Sequence, residues 1–274
     1  MITSVRFNDI IVFFHKFKKR SNHRTNKIRE NIIINILNNK IPKDWYSSPQ
    51  WFKVALRLKE YIKPFEKEYG TFKKAIHISG RNNYDFNFIF ELSSIKIEFK
   101  NGLNSITETP EILSVNSNTF LRGITYAEFF YDSYLSTTPL EVPCRNFYLK
   151  NIHKNKVDHP FFKNVQEIHN LKTISIHNYL ENFIDFDYDS FKQKLTSQLE
   201  KKFMLWNGNN FILDSLLTND LDIIPEKNLK KSKGGFYNTF VIKTTGTIEY
   251  HLLLRWKNKS LFPAWQISVK KHLI

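Results

Sequence analysis

Apolar and polar residues alternate between Tyr84 and Lys100, and this period of two predicts a β-hairpin with two different faces. Aromatic residues occupy every second position of the first arm. In the second arm Ile95, Ile97 and Phe99 alternate with Lys96, Glu98 and Lys100. A turn centred on Leu92 and Ser93 predicts that Phe86 faces Phe99, Phe88 faces Ile97 and Phe90 faces Ile95. The apolar faces of the two arms then merge.

The same register places the charged residues of the two arms on one patch. It sets Asp85 opposite Lys100 and leaves Glu98 diagonal to Asp85, at roughly 7–8 Å between the backbones. Carboxylate oxygens with room for water and a phosphate are what Mg²⁺ prefers, and the ammonium group adds a cation beside the attacking water. The alternative is an ordinary solvated face of a hairpin, on which acids and lysines also pair.

Asp85, followed after twelve residues by Glu98-Phe99-Lys100, resembles the D…(D/E)xK signature of the PD-(D/E)xK nuclease superfamily, the restriction-endonuclease-like enzymes. In those enzymes the signature lies on such a hairpin. Tyr84 stands where many members have proline. The resemblance implies an α/β (α+β) fold with a mixed central sheet flanked by helices.

The resemblance also implies roles for the residues of the signature. Asp85 and Glu98 would hold Mg²⁺, or Mn²⁺ in its place, with the carbonyl of Phe99 as a further ligand. Asp85, Glu98 and Lys100 would be the catalytic residues, and Lys100 would orient the attacking water or help to deprotonate it. A further acidic ligand on the helix before the hairpin is common in the superfamily. Its candidates in this chain are Glu60, Glu66 and Glu68, and the sequence does not choose between them.

Composition limits the class of protein and of partner. The chain has 274 residues, enough for one large or two small domains, and 41% of them are hydrophobic, as in folded proteins. The net charge of +15 predicts an anionic partner, with nucleic acid ahead of an acidic membrane surface. The single Cys144 excludes an internal disulfide bond. With no apparent signal peptide or membrane-spanning run, we expect an intracellular protein, cytoplasmic or nuclear, without a membrane partner.

The remaining patterns predict how the chain is organised. Residues 1–45 are expected to form a basic helical extension with helices over 4–20 and 25–38, and residues 46–274 the nuclease-like core. Ser48 and Pro49 begin a helix that Pro64 kinks or restarts and that Gly70 ends. Further helices are predicted over 126–135 and within 180–205, strands over 75–79, 145–152, 239–244, 249–256 and 264–270, and an exposed basic loop over 222–235.

Five cations are candidate contacts for the phosphates of a nucleic acid. They are Arg81 in the loop before the hairpin, Lys231 and Lys233 in the basic loop, and Arg255 and Lys257 in a predicted strand. In that strand Arg255 and Lys257 flank Trp256, and Trp265 follows nearby, so cations and aromatic rings could share one surface. Burial of both tryptophans in the core is the alternative.

The resemblance implies a metal-dependent endonuclease that hydrolyses phosphodiester bonds in double-stranded DNA, in the manner of a type II restriction enzyme, and the positive charge of the chain is suited to holding such a polyanion. A homodimer is compatible with that activity. The alternatives are a nuclease that acts on RNA, and a non-catalytic nucleic-acid-binding protein in which the hairpin is only structural. The spacing of Cys144, His153, His159 and His169 matches no usual zinc site, and the sequence has neither a G-x-S-x-G motif nor a Walker loop.

Overall fold

The structure is a computed structural model, and it describes most of the chain. The described residues are 5–15, 23–78, 84–138, 141–154, 157–164, 169–257 and 262–271. The chain divides into two compact units, Met1–Thr109 with Thr196–Leu217 (unit 1) and Pro110–Leu195 with Thr218–Ile274 (unit 2). Each unit contains a five-stranded sheet. The predicted α+β class, a mixed sheet with helices, is confirmed.

The helices and strands follow one another along the chain in a fixed order. They are α1 (His23–Leu37), α2 (Pro49–Tyr69), β1 (Phe72–His77), β2 (Phe86–Phe90), β3 (Ser94–Asn101), β4 (Leu113–Asn116), α3 (Tyr126–Phe130), α4 (Arg145–Asn151), α5 (Pro160–Asn164), α6 (His169–Asn182), α7 (Tyr188–Leu199), β5 (Lys201–Trp206), β6 (Phe211–Asp214), β7 (Asn228–Lys231), β8 (Tyr237–Lys243), β9 (Ile248–Lys257) and β10 (Phe262–Lys271). Short π-helical segments occupy Ile11–His15 and Tyr131–Leu135.

The sheet of unit 1 has the strand order β1-β2-β3-β5-β6. Strand β5 runs parallel to β3, whereas the other neighbours are antiparallel, so the sheet is mixed. The apolar faces of β2 and β3 and the buried residues of α1 and α2 belong to one hydrophobic core. Fully buried members such as Trp51 and Phe88 each contribute about 1.5–3 kcal/mol through the apolar area they remove from water.

The hairpin forms as predicted, but its register differs by two residues. Phe86 faces Ile97 and Phe88 faces Ile95, where Phe99 and Ile97 were expected. The N–H of Phe90 donates to the carbonyl of Ser93 at 2.8 Å, which closes the turn one residue earlier than predicted. Because side chains alternate with a period of two, this shift keeps the apolar face intact. It also removes Asp85 from the position opposite Lys100: the paired residues end at Phe86 and Ile97, and the N–H of Asp85 donates to the carbonyl of Ile97 at 2.9 Å.

Helix α1 belongs to unit 1 and is not an extension outside it. Its residues Ile32, Ile33 and Ile36 lie in the same hydrophobic core as the hairpin. The chain therefore divides elsewhere than at the predicted boundary after residue 45. The predicted helix over 25–38 is confirmed as α1, whereas the basic part of the predicted 4–20 helix lies outside the described residues. Helix α2 begins at Pro49 as predicted and runs through Pro64 without ending, up to Gly70.

Unit 2 is built on the antiparallel sheet β4-β10-β9-β8-β7. The three predicted C-terminal strands are confirmed as β8, β9 and β10. The strand predicted over 145–152 is wrong: that segment is the helix α4, and Tyr148, Asn151 and Ile152 are buried at the helical spacing of three and four. The predicted basic loop contains β7, whose two terminal lysines are exposed at the edge of the sheet, as is common for edge strands.

None of the helices in the described part of the chain combines the length and the apolar character that a bilayer crossing requires.

Candidate active site

Asp85 is fixed to the sheet by its backbone and by its side chain. Its N–H donates to the carbonyl of Ile97 at 2.9 Å, and its carbonyl accepts from the N–H of Ile78 at 2.8 Å. The carboxylate oxygen Oδ2 accepts a hydrogen bond from the N–H of Phe99 at 2.8 Å. No described residue is seen to donate to the other carboxylate oxygen, Oδ1. Asp85 is therefore held rigidly and has one oxygen available to a ligand.

The surroundings of Asp85 disfavour its negative charge. Burial is the main cause, and together with the charges of Glu30 and Glu98 it raises the pKa of Asp85 to about 6. The hydrogen bond from Phe99 and the charge of Lys100 act in the opposite direction but do not prevail. A bound cation would restore the ionised form. The positive charge near Asp85 therefore does not compensate its own charge, although the chain as a whole carries an excess of positive charge.

Glu98 is buried next to Asp85 and is held by two lysines. Its side chain is 11% exposed, its Oε1 lies 2.6 Å from the ammonium of Lys100, and its Oε2 accepts from the ammonium of Lys201. The side chain of Lys201 is only 2% exposed, and burial lowers its pKa despite the attraction of Glu98. Both carboxylate oxygens of Glu98 are therefore engaged by cations. A metal ion bound there would have to displace at least one ammonium group.

Lys201 was missed in the sequence. It reaches the site because β5 pairs in parallel with β3. This pairing places Lys201 beside Lys96, and the remaining residues of β5 lie beside the following residues of β3. It lies within the segment 180–205 in which a helix is predicted, but the helix α7 ends at Leu199 and Lys201 begins a strand, β5. The sequence of this segment does not specify a partner more than one hundred residues earlier.

Glu30 is the second residue that sequence analysis missed. Its Oε2 lies 2.8 Å from Nε2 of His77, at the end of β1, and its side chain is 11% exposed. The side chain of Asn38 anchors α1 to β1 by bonding both backbone groups of Ala75, at 2.8 and 2.9 Å. This contact brings the carboxylate of Glu30 close enough to raise the pKa of Asp85.

The glutamates predicted as further ligands lie on α2 and have other contacts. Glu60 forms an exposed ion pair with Arg57 at 2.6 Å, and Glu66 accepts from the N–H of Phe72 at 3.2 Å. Glu68 is exposed near the end of α2 and makes a hydrogen bond with Tyr69. The acidic residue that a preceding helix brings to Asp85 is therefore Glu30 of α1.

The donor set of this site fits a hard cation that keeps part of its water shell. Asp85 offers Oδ1, and Glu98 is close enough for its charge to act on Asp85. The carbonyl of Phe99 points to the same side as its N–H, toward Asp85, because both backbone groups of a strand residue face one neighbour. Mg²⁺ typically takes one or two carboxylates and retains several waters. Within the described ranges no group of three or more His, Cys, Asp and Glu side chains is arranged to enclose a metal ion.

Four of the five residues predicted to contact nucleic acid lie far from the hairpin along the chain. Arg81 is outside the described residues, and the other four belong to unit 2. Arg255 donates to Oε1 of Gln266 at 2.8 Å, and Lys257 pairs with Glu111 at 3.0 Å. Lys231 and Lys233 are exposed.

Trp256 and Trp265 are buried, with exposures of 9% and 0%. The strand alternates between the core and solvent, so Trp256 and its flanking cations do not share one surface.

Two buried carboxylates, a third from α1 and two ammonium groups thus meet at the β2–β3 hairpin. This arrangement can bind a cation and a phosphate together, and it can equally persist as an internal salt-bridge network. Comparison of the chain with models of known protein families, with curated proteins and with solved structures finds no match.

Proposed function

We propose that this chain is a metal-dependent endonuclease that hydrolyses phosphodiester bonds in DNA. The observation that carries the proposal is the meeting of Asp85, Glu98 and Lys100 on one hairpin, where burial and neighbouring carboxylates leave the charge of Asp85 without full compensation. The resemblance of this signature to that of PD-(D/E)xK nucleases, and the mixed sheet on which it lies, support the same activity.

Asp85, Glu98 and the carbonyl of Phe99 would hold Mg²⁺ or Mn²⁺. When bound, the ion lowers the pKa of a coordinated water and offsets the negative charge of the phosphate. Glu30 is a candidate for a further contact from α1. Since the pKa of Asp85 is about 6 without metal, the carboxylate is ready to bind a cation near neutral pH.

The chain's own residues position the reacting groups. The ammonium of Lys100, 2.6 Å from Glu98, is placed to orient the attacking water and to offset charge that builds on the phosphate. Lys201 lies on the other side of Glu98 and holds the carboxylate in place. In the active complex Lys100 would exchange its contact with Glu98 for the phosphate, which leaves Lys201 as the remaining partner of Glu98.

The expected substrate is double-stranded DNA, held by the positive charge of the chain. A net charge of +15 supports strong, salt-sensitive binding to a polyanion, because each phosphate contact releases bound counterions. Cleavage of both strands at a symmetric site would require two copies of the chain, so a homodimer on DNA is part of the proposal.

A non-catalytic nucleic-acid-binding protein is the second candidate, and one specific observation favours it. Both oxygens of Glu98 are already paired with Lys100 and Lys201. A salt-bridge network that serves only the stability of the sheet would have this arrangement. The two candidates differ in whether a divalent ion can displace one of the lysines.

Incubation of purified protein with supercoiled plasmid and Mg²⁺ tests the proposal. We expect nicked and linear products that EDTA abolishes, and a loss of about 100-fold or more in rate for Asp85→Asn and Lys100→Ala, as for removal of a charge-stabilising group from other active sites. The matched controls are Asp44→Asn and Lys73→Ala, which change exposed residues of the same unit and should leave the rate unchanged. Retention of DNA without cleavage in any divalent metal would leave the binding protein, and cleavage of RNA alone would establish the ribonuclease.

A further inference from the structure

A pocket of about 340 Å³ lies within unit 2, between α6 and the strands β8 and β9. Its volume falls in the range of about 300–1,000 Å³ that small-molecule sites occupy. Aromatic and cationic residues that the hairpin site does not use line it. Lys172 comes from α6, Phe236 and Tyr237 lie at the start of β8, and Arg255 and Trp256 come from β9.

The aromatic rings of the pocket are held in fixed positions. The ring of His177 stacks on Tyr237 at 5.2 Å, and its Nδ1 accepts from the N–H of Tyr237 at 3.2 Å. Trp256 is packed into the core and donates from its indole N–H to the hydroxyl of Tyr126 at 3.1 Å. Phe236 remains 40% exposed. Rigid aromatic faces of this kind favour a flat, unsaturated ligand, since stacking then costs little conformational entropy.

The charges around the pocket favour an anion. The ammonium of Lys172 lies 4.6 Å from the centre of the Trp256 ring, and that of Lys231 lies 4.9 Å from the ring of Tyr237. Arg255 adds an exposed guanidinium, and no aspartate or glutamate is among the described residues that line the pocket. Burial lowers the pKa of Lys172 to about 8, so a nearby negative charge would stabilise its protonated form.

We propose that this pocket binds a nucleotide, with the base against the exposed ring of Phe236 and the phosphate near the exposed guanidinium of Arg255. A nucleotide combines the flat ring and the negative charge for which the lining is suited. Its source can be a free nucleotide or an unstacked nucleotide of a polynucleotide, and only the second rests on the proposed function. The binding itself does not require the hairpin site, so it is measurable in EDTA.

Equilibrium titration in EDTA tests the inference. The probes are AMP and dAMP, inorganic phosphate, and a labelled single-stranded DNA oligonucleotide. Loss of a stacking face weakens binding of a base by roughly 1–3 kcal/mol, so Phe236→Ala should weaken binding of the nucleotide or of the oligonucleotide by about fivefold or more. Arg255→Gln should weaken it as well and reduce its salt dependence. Phe147→Ala is the matched control, because Phe147 is also 40% exposed in unit 2 and lies outside the lining.

The outcomes separate the two sources and can reject the inference. Binding of AMP or dAMP that depends on Phe236 supports a site for free nucleotides. Binding of the oligonucleotide alone, with the same dependence, supports a site for a base of a polynucleotide. If neither probe responds to Phe236→Ala and Arg255→Gln, or if Phe147→Ala has an equal effect, the inference is overturned. Equal affinity for inorganic phosphate and for AMP would also overturn it, because the rings would then contribute nothing. The cleavage assay with Asp85→Asn is independent of every one of these results.

Discussion

Asp85 in unit 1 and Lys172 in unit 2 are ionisable groups that burial drives toward their neutral forms, yet their neighbours favour opposite ligands. Burial raises the pKa of Asp85 to about 6 and lowers that of Lys172 to about 8. Asp85 lies near the carboxylates of Glu30 and Glu98, whereas Lys172 lies over an aromatic ring in a pocket whose described lining residues include no acid. Burial alone therefore does not identify a ligand. The charges of the neighbours decide whether a cation or an anion would compensate the buried group.

The largest expected effect is the loss of stability when the salt bridges of Glu98 are removed. Glu98→Leu leaves the ammonium of Lys201 buried without its partner, and removal of one member of a buried pair typically costs about 3–5 kcal/mol. We expect a loss of about 3 kcal/mol in the free energy of unfolding, at the lower end of that range because Asp85 still attracts Lys201. Denaturant titration measures it.

A matched pair of variants distinguishes this buried network from an ordinary surface pair. The double variant Glu98→Leu with Lys201→Met should recover most of the lost stability, since the buried ammonium group is then removed together with its carboxylate partner. Arg57→Ala removes one partner of the exposed Arg57–Glu60 pair and should change the stability by about 0.5 kcal/mol or less. If Glu98→Leu and Arg57→Ala lower the free energy of unfolding by equal amounts, then Glu98→Leu does not leave an uncompensated ammonium group buried at Lys201.

The next effect is the pH dependence of metal binding at Asp85. A metal ion requires the ionised carboxylate, so with a pKa of about 6 its affinity should fall by about tenfold between pH 7 and pH 5. Isothermal titration with Mg²⁺ or Mn²⁺ measures this change. Asp85→Asn should abolish the binding and Asp44→Asn should leave it intact. Affinity that is constant over this range would mean that Asp85 is not a ligand.

The same pKa predicts how the stability of the metal-free protein responds to pH. The folded pKa of Asp85 is raised above the ordinary value of 3.8, so between about pH 4 and 6 the folded state binds more protons than the unfolded state. The contribution of Asp85 to stability is therefore present below pH 4 and is lost as the pH rises through 6. Asp85→Asn should remove this part of the pH profile.

The hairpin shows which part of the site the sequence can specify. The alternation over Phe86–Phe90 and Ser94–Asn101 determines which side chains share a face, and the structure confirms those faces. The pattern does not specify the register. A shift by two residues leaves both faces unchanged, so the apolar pattern cannot distinguish the predicted pairing from the observed one. The choice is made by the turn at Glu91 and Leu92, where the bond from Phe90 to Ser93 forms.

The residues of the site that sequence analysis missed come from distant segments of the chain. Lys201 depends on the parallel pairing of β5 with β3, and Glu30 depends on the contact of Asn38 with Ala75. Each contact joins segments that carry no mutual signal in a single sequence. The strand predicted over 145–152 is wrong for another reason. The few apolar residues of this segment suit a strand as well as one face of a helix, and tertiary packing favours the helix.

For Lys172 the pH dependence should have the opposite sign to that of Asp85. Its folded pKa, about 8, is below the ordinary value of 10.5, so the folded state binds fewer protons between these values and stability rises with pH in that window. Lys172→Met removes the ionisable group at nearly constant volume, so the two proteins should differ in how their stability depends on pH.

The stability of the wild type relative to Lys172→Met should rise between pH 8 and pH 10, because in this range the lysine is largely neutral in the folded state and still protonated in the unfolded state. Denaturant titration of both proteins at several pH values measures the difference, and the titration of all other groups cancels in the comparison. A relative stability of the wild type that stays constant or falls over this range would mean that Lys172 keeps its ordinary pKa and that the contrast with Asp85 does not hold.

The smallest expected effect concerns Glu30, whose charge is the second cause of the raised pKa of Asp85. Glu30→Gln should lower the pKa of Asp85, yet leave it above the ordinary value, because burial is the larger cause and does not change. Carbon-13 NMR titration of the aspartate carboxyl groups measures this shift. If Glu30 acts only through its charge, Glu30→Gln retains metal binding and extends it to lower pH. If Glu30 is itself a ligand, the variant binds metal more weakly at every pH. An unchanged pKa of Asp85 would mean that α1 does not place Glu30 close enough for either role.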